Sequence, residues 1–108
     1  MTDFAPLPDP PYYAVIFASK RSDIDAGYAA MADKMEQLAR QQPGYLGIEA
    51  SRDTNGFGLT ISYWADEDSI KAWKNVSDHK LAQKYGRERW YEHFSTRVAR
   101  VERQYEGP

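Results

Sequence analysis

The stretch SYWADEDSIKAWKNVSDHKLAQ, Ser62 to Gln83, holds two of the chain's three tryptophans and one of its two histidines. Histidine titrates near neutral pH, so His79 is the sharpest candidate for moving a proton. Trp64 and Trp73 carry large aromatic faces that serve as core anchors or as the walls of a pocket. Each residue has a plain structural reading beside the chemical one. Trp73 also reads as a helix residue anchored on a sheet, and Trp64 as strand-end packing or interface. His79 also reads as a helix-start histidine that bonds local backbone. His93, in the charged run RERWYEH, reads as solvated.

Several other chemistries are excluded. There is no cysteine, which removes disulfides, thiolate zinc sites and cysteine nucleophiles. Two histidines far apart in sequence argue against a metal site, and none is expected. Asp66 and Glu67 fall at a helix start, where carboxylates serve the helix dipole. No Gly-rich phosphate loop or GxSxG elbow is present. The net charge of −2, with both signs mixed along the chain, gives no footprint for nucleic acid. No apolar run approaches the roughly 20 residues of a membrane helix. The start, MTDFAPLPDPP, lacks the basic and apolar regions of a signal peptide. The chain reads as a soluble cytoplasmic protein.

At 108 residues the chain is expected to form one domain. Residues 1–11 hold four of the six prolines and read as an arm before a domain spanning 12–108. YYAVIFASK (Tyr12–Lys20) predicts a strand that is apolar on both faces. Tyr13, Val15 and Phe17 share one face; Tyr12, Ala14, Ile16 and Ala18 share the other. Both faces therefore need cover. Ser22–Gly44 predicts a helix with a stripe of Tyr28, Met31, Ala32, Met35, Leu38 and Ala39. Asp23 or Asp25 is expected to cap it, and Pro43-Gly44 to end it. YLGIEAS and LTISYW flank Asn55-Gly56 and read as an antiparallel hairpin.

Asp66 is placed to cap a helix through EDSIKAWKNV. Ser77 or Asp78 is expected to restart a helix through HKLAQKY. Gly86 then breaks it, and RERWYEHF reads as a further short helix with Trp90 and Phe94 on one face. In that reading both lie over the end of a cleft between helix and sheet, as a lid or as extended core. STRVARVERQYE (Ser95–Glu106) predicts a last strand with a solvated or edge-protecting row of Arg97, Arg100 and Arg103. The order β-α-β-β-α-β is the ferredoxin-like arrangement, an α+β antiparallel sheet with helices on one face. The bare apolar face calls for a homodimer, sheet against sheet.

The run PGYLGIEASRDTNGFGLTISYWADEDSIKAWKNVSDH resembles the antibiotic biosynthesis monooxygenase superfamily, whose members are dimeric α+β barrels. The shared features are the long first helix, the Pro-Gly-aromatic-x-Gly step into strand two, and the aromatic-Trp end of strand three before an Asp-rich helix start. A Trp followed six residues later by a His completes the set. The resemblance spans about Tyr12 to Tyr105, with YGRERWYEHF outside the shared core. It implies a monooxygenase without cofactor, acting on a small aromatic such as a phenol or hydroquinone. Trp64, Trp73 and Tyr63 would then wall the pocket, and His79 would assist proton transfer; Trp90, outside the shared core, is a substrate-binding candidate only through the lid reading of its own segment. The competing reading is a non-catalytic protein that binds a small molecule on the same scaffold. The haem-degrading branch pairs a strand-one Asn with a helix-two Trp and a His about ten residues on. Here Trp73 matches, but Gln83 stands in the last position and strand one has no Asn.

Overall fold

A computed structural model describes the backbone of residues 3–83 and 90–108, with side chains described for residues 3–78 and 90–108. The elements are β1 (Tyr12–Arg21), α1 (Tyr28–Arg40), β2 (Tyr45–Arg52), β3 (Phe57–Trp64), α2 (Glu67–Gln83) and β4 (Tyr91–Val101). The four strands form one antiparallel sheet in the order β2-β3-β1-β4. The two-faced strand β1 is therefore central, between β3 and β4. Among the described residues no helix is long and apolar enough to cross a membrane.

Strand parity divides the side chains between the two sheet faces. Tyr13 lies opposite Trp64, Val15 opposite Ser62 and Val98, and Phe17 opposite Thr60 and Thr96. This is the helix side. Trp64, Ala39 of α1 and Ile70 of α2 are buried together there, with Tyr13, Val15, Tyr45 and Trp73 packed around them. Gly44, at φ 83°, turns the chain from α1 into β2. A Cβ there would lie 2.7 Å from the Cβ of Ser69, so the turn and α2 are in direct contact.

The opposite face carries Tyr12, Ala14, Ile16 and Ala18 of β1 and Tyr63, Ile61 and Leu59 of β3. Part of its cover comes from the chain's own arm. The Ala5 amide donates to Glu49 Oε2 at 3.0 Å, and the Tyr63 hydroxyl donates to Glu49 Oε1 at 2.6 Å. A Cβ on Gly47 would come within 2.7 Å of the Ala5 Cβ, so the arm crosses β2 where there is no side chain. Gln104 donates to the Pro8 carbonyl and also bonds the Tyr12 hydroxyl. Tyr12 and Ala14 are only 3% and 5% exposed as a result, with the Tyr12 ring edge-on to Tyr63. Farther along the same face, Phe57 and Leu59 remain 48% and 40% exposed.

Three local expectations change. Helix α1 begins at Tyr28, not near Ser22, and neither Asp23 nor Asp25 caps it; its N-cap is Gly27 at φ 80° with no side-chain cap bond. Asp25 instead pairs with Arg21 at 2.9 Å. Helix α2 runs without a restart through Ser77 and Asp78. The Ser77 hydroxyl bonds the Lys74 carbonyl, and Lys74 pairs with Asp78 one turn on, so both polar residues are satisfied inside the helix. The RERWYEHF helix is replaced from Tyr91 onward by strand β4, paired with β1, while residues 84–89 lie outside the described residues.

Asp66 caps α2 as its position predicted. Its Oδ1 accepts from the Ser69 amide and the Ser69 hydroxyl, both at 2.8 Å. These bonds, the amide first, hold its carboxyl below the ordinary range. A depressed folded-state pKa contributes stability above the unfolded-state pKa, and that contribution is lost as pH falls through the folded value. Asp66→Ala should therefore lower the melting temperature at pH 7, with the gap to wild type closing under acid. Asp66→Asn, which still accepts the bonds but does not titrate, should keep most of the neutral-pH stability. A pH series of thermal melts on the three proteins tests this.

Candidate functional site

The helix side of the sheet is covered unevenly. Among the described residues α1 packs mainly on β2 and α2 on β3. Over β1 and β4 the same face is more open, and Val98, beside Val15, is 52% exposed. Val15, Phe17 and Val98 thus form an apolar floor that continues past the packed core. An apolar floor with polar groups at its margins is the usual form of a small-molecule site.

At one end stand the two tryptophans. Their rings stack at 6.0 Å between centroids and 24° between planes. Trp64 is wholly enclosed, its indole donating to Ser62 Oγ at 2.9 Å, with Tyr45 edge-on at 5.7 Å. Trp64 is thus a core anchor, and Trp73, half-buried against it, is the tryptophan that reaches the open floor. The Tyr45 hydroxyl is buried without a hydrogen-bond partner. Burial raises its pKa above the usual phenol value, so it stays a neutral donor.

Of the other expected residues, Tyr63 and Trp90 do not gather there. Tyr63 follows the alternation of the strand and points to the arm side, where it bonds Glu49. Trp90 is buried at the far end of the sheet. Its indole donates to the Ala26 carbonyl at 3.0 Å, and its own carbonyl accepts from the Ser22 amide and Arg21 Nε. It closes the turn that leads into α1 and does not share a helix face with Phe94; Phe94 sits on β4 against Phe17. His79 belongs to α2, about 9 Å beyond Trp73 at 1.5 Å per residue. Its side chain lies outside the described residues. His93 and the three arginines of the last segment, Arg97, Arg100 and Arg103, are exposed, as their positions suggested.

A second polar cluster, absent from the sequence reading, lies at the end of the floor away from Trp73. Arg52 of β2 reaches across β3 to β1. Its Nη2 donates to Ser19 Oγ at 2.8 Å and to the Tyr28 hydroxyl at 3.5 Å, and its Nη1 donates to the carbonyls of Ser19 and Gly56. The Tyr91 hydroxyl donates to that of Tyr28 at 3.3 Å. The path is open because position 58 is glycine: a Cβ there would meet Arg52 Cζ at 2.8 Å. A lone glycine inside a strand pattern was the available signal, since it marks close approach of another group.

An antiparallel four-stranded sheet with this order and two helices on one face is the ferredoxin-like α+β fold. The chain belongs to the antibiotic biosynthesis monooxygenase family, whose model matches residues 11–85. It is 48% identical over 105 residues to the uncharacterized protein YqjZ of Bacillus subtilis, covering 96% of this chain and 92% of that one. It is 37% identical over 46 residues to a jasmonate monooxygenase of Pyricularia oryzae, covering 43% of this chain and 21% of that protein. Among solved structures it is similar to a protein of unknown function from Nitrosomonas europaea, with TM-score 0.70, 13% identity, and 91% and 96% of the two chains covered. A Mycobacterium tuberculosis protein gives TM-score 0.66 at 15% identity, with 90% and 99% covered.

The burial of Trp90 makes a direct forecast. Trp90→Ala should destabilise the fold by about 3–5 kcal/mol, the usual cost of removing a buried tryptophan, while ligand affinity changes little. Trp90→Phe should recover most of that loss and lack only the indole bond, worth about 1 kcal/mol. Thermal melts beside ligand titrations decide the matter: an unchanged melt with a large fall in affinity would make Trp90 a lid after all.

Proposed function

We propose that the protein is a cofactor-independent monooxygenase acting on a small aromatic of the phenol or hydroquinone type. The observation that carries this reading is the open apolar floor of Val15, Phe17 and Val98 beside the stacked Trp64–Trp73 pair. Membership of the family and the likeness to a jasmonate monooxygenase support the reaction class. In this reading Trp73, backed by Trp64, holds the flat face of the substrate. His79, farther along α2, takes the phenolic proton; neutral imidazole is a suitable base near pH 7. The phenolate then supplies electrons to dioxygen. For a naphthol the balance is one naphthol and one dioxygen giving one naphthoquinone and one water. One oxygen atom enters the ring, the other leaves as water, and the substrate is the only reductant.

The working unit in this proposal is a cytoplasmic homodimer joined sheet to sheet. Exposed Phe57 and Leu59, on the face opposite the helices, support it, since apolar side chains grouped on one face commonly mark an interface. The second reading, a binding protein without turnover, rests on the same cleft.

Oxygen consumption with a panel of hydroquinones and naphthols should exceed buffer for wild type and drop at least tenfold in His79→Ala. Ligand-dependent thermal stabilisation without oxygen uptake would instead favour the binding protein. Light scattering at micromolar concentration should return twice the subunit mass of 12.4 kDa. A single subunit mass would remove the dimer.

A further inference from the structure

We propose that the Arg52–Tyr28–Tyr91 cluster is an oxyanion site, which takes a carboxylate or phenolate oxygen of the ligand whose ring lies on the apolar floor. The proposal rests on the reading of that cleft as an aromatic site and names what the far end of the ligand must carry.

The first argument is charge. Arg52 is half-buried, and every partner it has among the described residues is neutral: two carbonyls and two hydroxyls. Arg21, Arg40 and Arg100 each pair with a carboxylate. Arg52 does not. A partly buried guanidinium with only neutral acceptors retains a desolvation cost that an anion would offset.

The second argument is donor count. Arg52 Nε has no acceptor among the described residues. The Tyr28 oxygen accepts from both Arg52 and Tyr91, so its own proton is left to donate. Burial, then the bond to Tyr28, pushes the Tyr91 phenol well above its ordinary pKa, so it keeps the proton that it donates to Tyr28 and leaves the Tyr28 proton free. Arg21 stacks on the Tyr28 ring at 3.4 Å and adds positive potential from behind. Among the described residues the cluster thus keeps two unused donors, Arg52 Nε and the Tyr28 hydroxyl, and holds no anionic acceptor. A guanidinium with neighbouring hydroxyls is well suited to an oxyanion.

The third argument is position. The rings of Tyr91 and Phe94 lie 5.4 Å and 5.6 Å from that of Phe17, so the polar cluster joins the floor directly. The tryptophan pair closes the other end. A ligand with a flat apolar body and one anionic oxygen matches both ends.

The test compares 2-naphthoate with its neutral isostere 2-naphthamide, by calorimetric titration of the full chain at neutral pH. A parallel arm uses 4-nitrophenol below and above its own ionisation, to separate a phenolate from a carboxylate preference. Wild type should bind at least one anionic form tenfold or more tighter than its neutral counterpart. Arg52→Gln should abolish that preference, and Tyr28→Phe should reduce it severalfold, with the loss falling far more heavily on naphthoate than on naphthamide. Tyr28→Phe spares the ties of Arg52 to Ser19 and Gly56, so it serves if Arg52→Gln does not fold. Equal affinity for anionic and neutral forms in wild type would overturn the oxyanion site and leave the aromatic cleft standing. A preference that persists in both variants would make Arg52 a structural tie only. No binding of any probe would sink the cleft reading together with the proposal.

Discussion

Strand β1 is apolar on both faces, and the rest of the structure answers that constraint. A central strand in an antiparallel sheet cannot leave either side wet at this composition without losing the burial that holds the sheet together. On one side α1 and α2 bring Ala39, Ile70 and Trp73 over Tyr13 and Val15. On the other, the prolines of the arm make an extended segment that needs no ladder of its own. Two specific polar contacts, at Glu49 and Gln104, pin it to the sheet. The arm accounts for Tyr12 and Ala14 but not for Phe57 and Leu59. One constraint thus produces the helical layer, the arm and the remaining exposed strip.

The same uneven covering creates the cleft. Packing is dense where the helices sit on β2 and β3 and thins over β1 and β4. The side chains of the floor do not change character at that boundary. Trp73 stands on it, half-buried with one ring face against Trp64. Whether Trp73 belongs to a core or to a site is therefore a false choice in this fold: its burial against Trp64 is what would hold its exposed part still for a ligand.

Much of this was legible in the residues. Period-two and period-3.6 patterns found the order of four strands and two helices, although the last strand runs Tyr91–Val101 where Ser95–Glu106 was expected; Asn55-Gly56 placed the hairpin, and Asp66 placed the start of α2. Trp90 and Phe94 misled because four residues apart is one face of a helix and also one face of a strand, so periodicity could not choose. The start of α1 was misplaced because two aspartates, Asp23 and Asp25, precede a glycine whose left-handed conformation ends the turn instead. Tyr63 was grouped with Trp64 as a neighbour in sequence, and neighbours in a strand face opposite ways. The Arg52 cluster was legible only as a lone glycine at position 58, which hints at a close approach without naming the group. Its members come from α1, β2 and β4, and no pairing of charge in the sequence points from one to another.

Gly58 has a consequence for how this chain can vary. The Arg52 guanidinium lies over the bare Cα of position 58, and that room is the whole of its route to Ser19. A side chain at 58 would push the guanidinium off this route. A small residue at 52 would in turn leave a gap that a larger residue at 58 could fill. The contact couples the two positions sterically. A descendant that exchanged glycine for valine at 58 would be free to drop the arginine, and with it the positive end of the cleft, in a second step. A lineage that kept the arginine would carry the glycine with it.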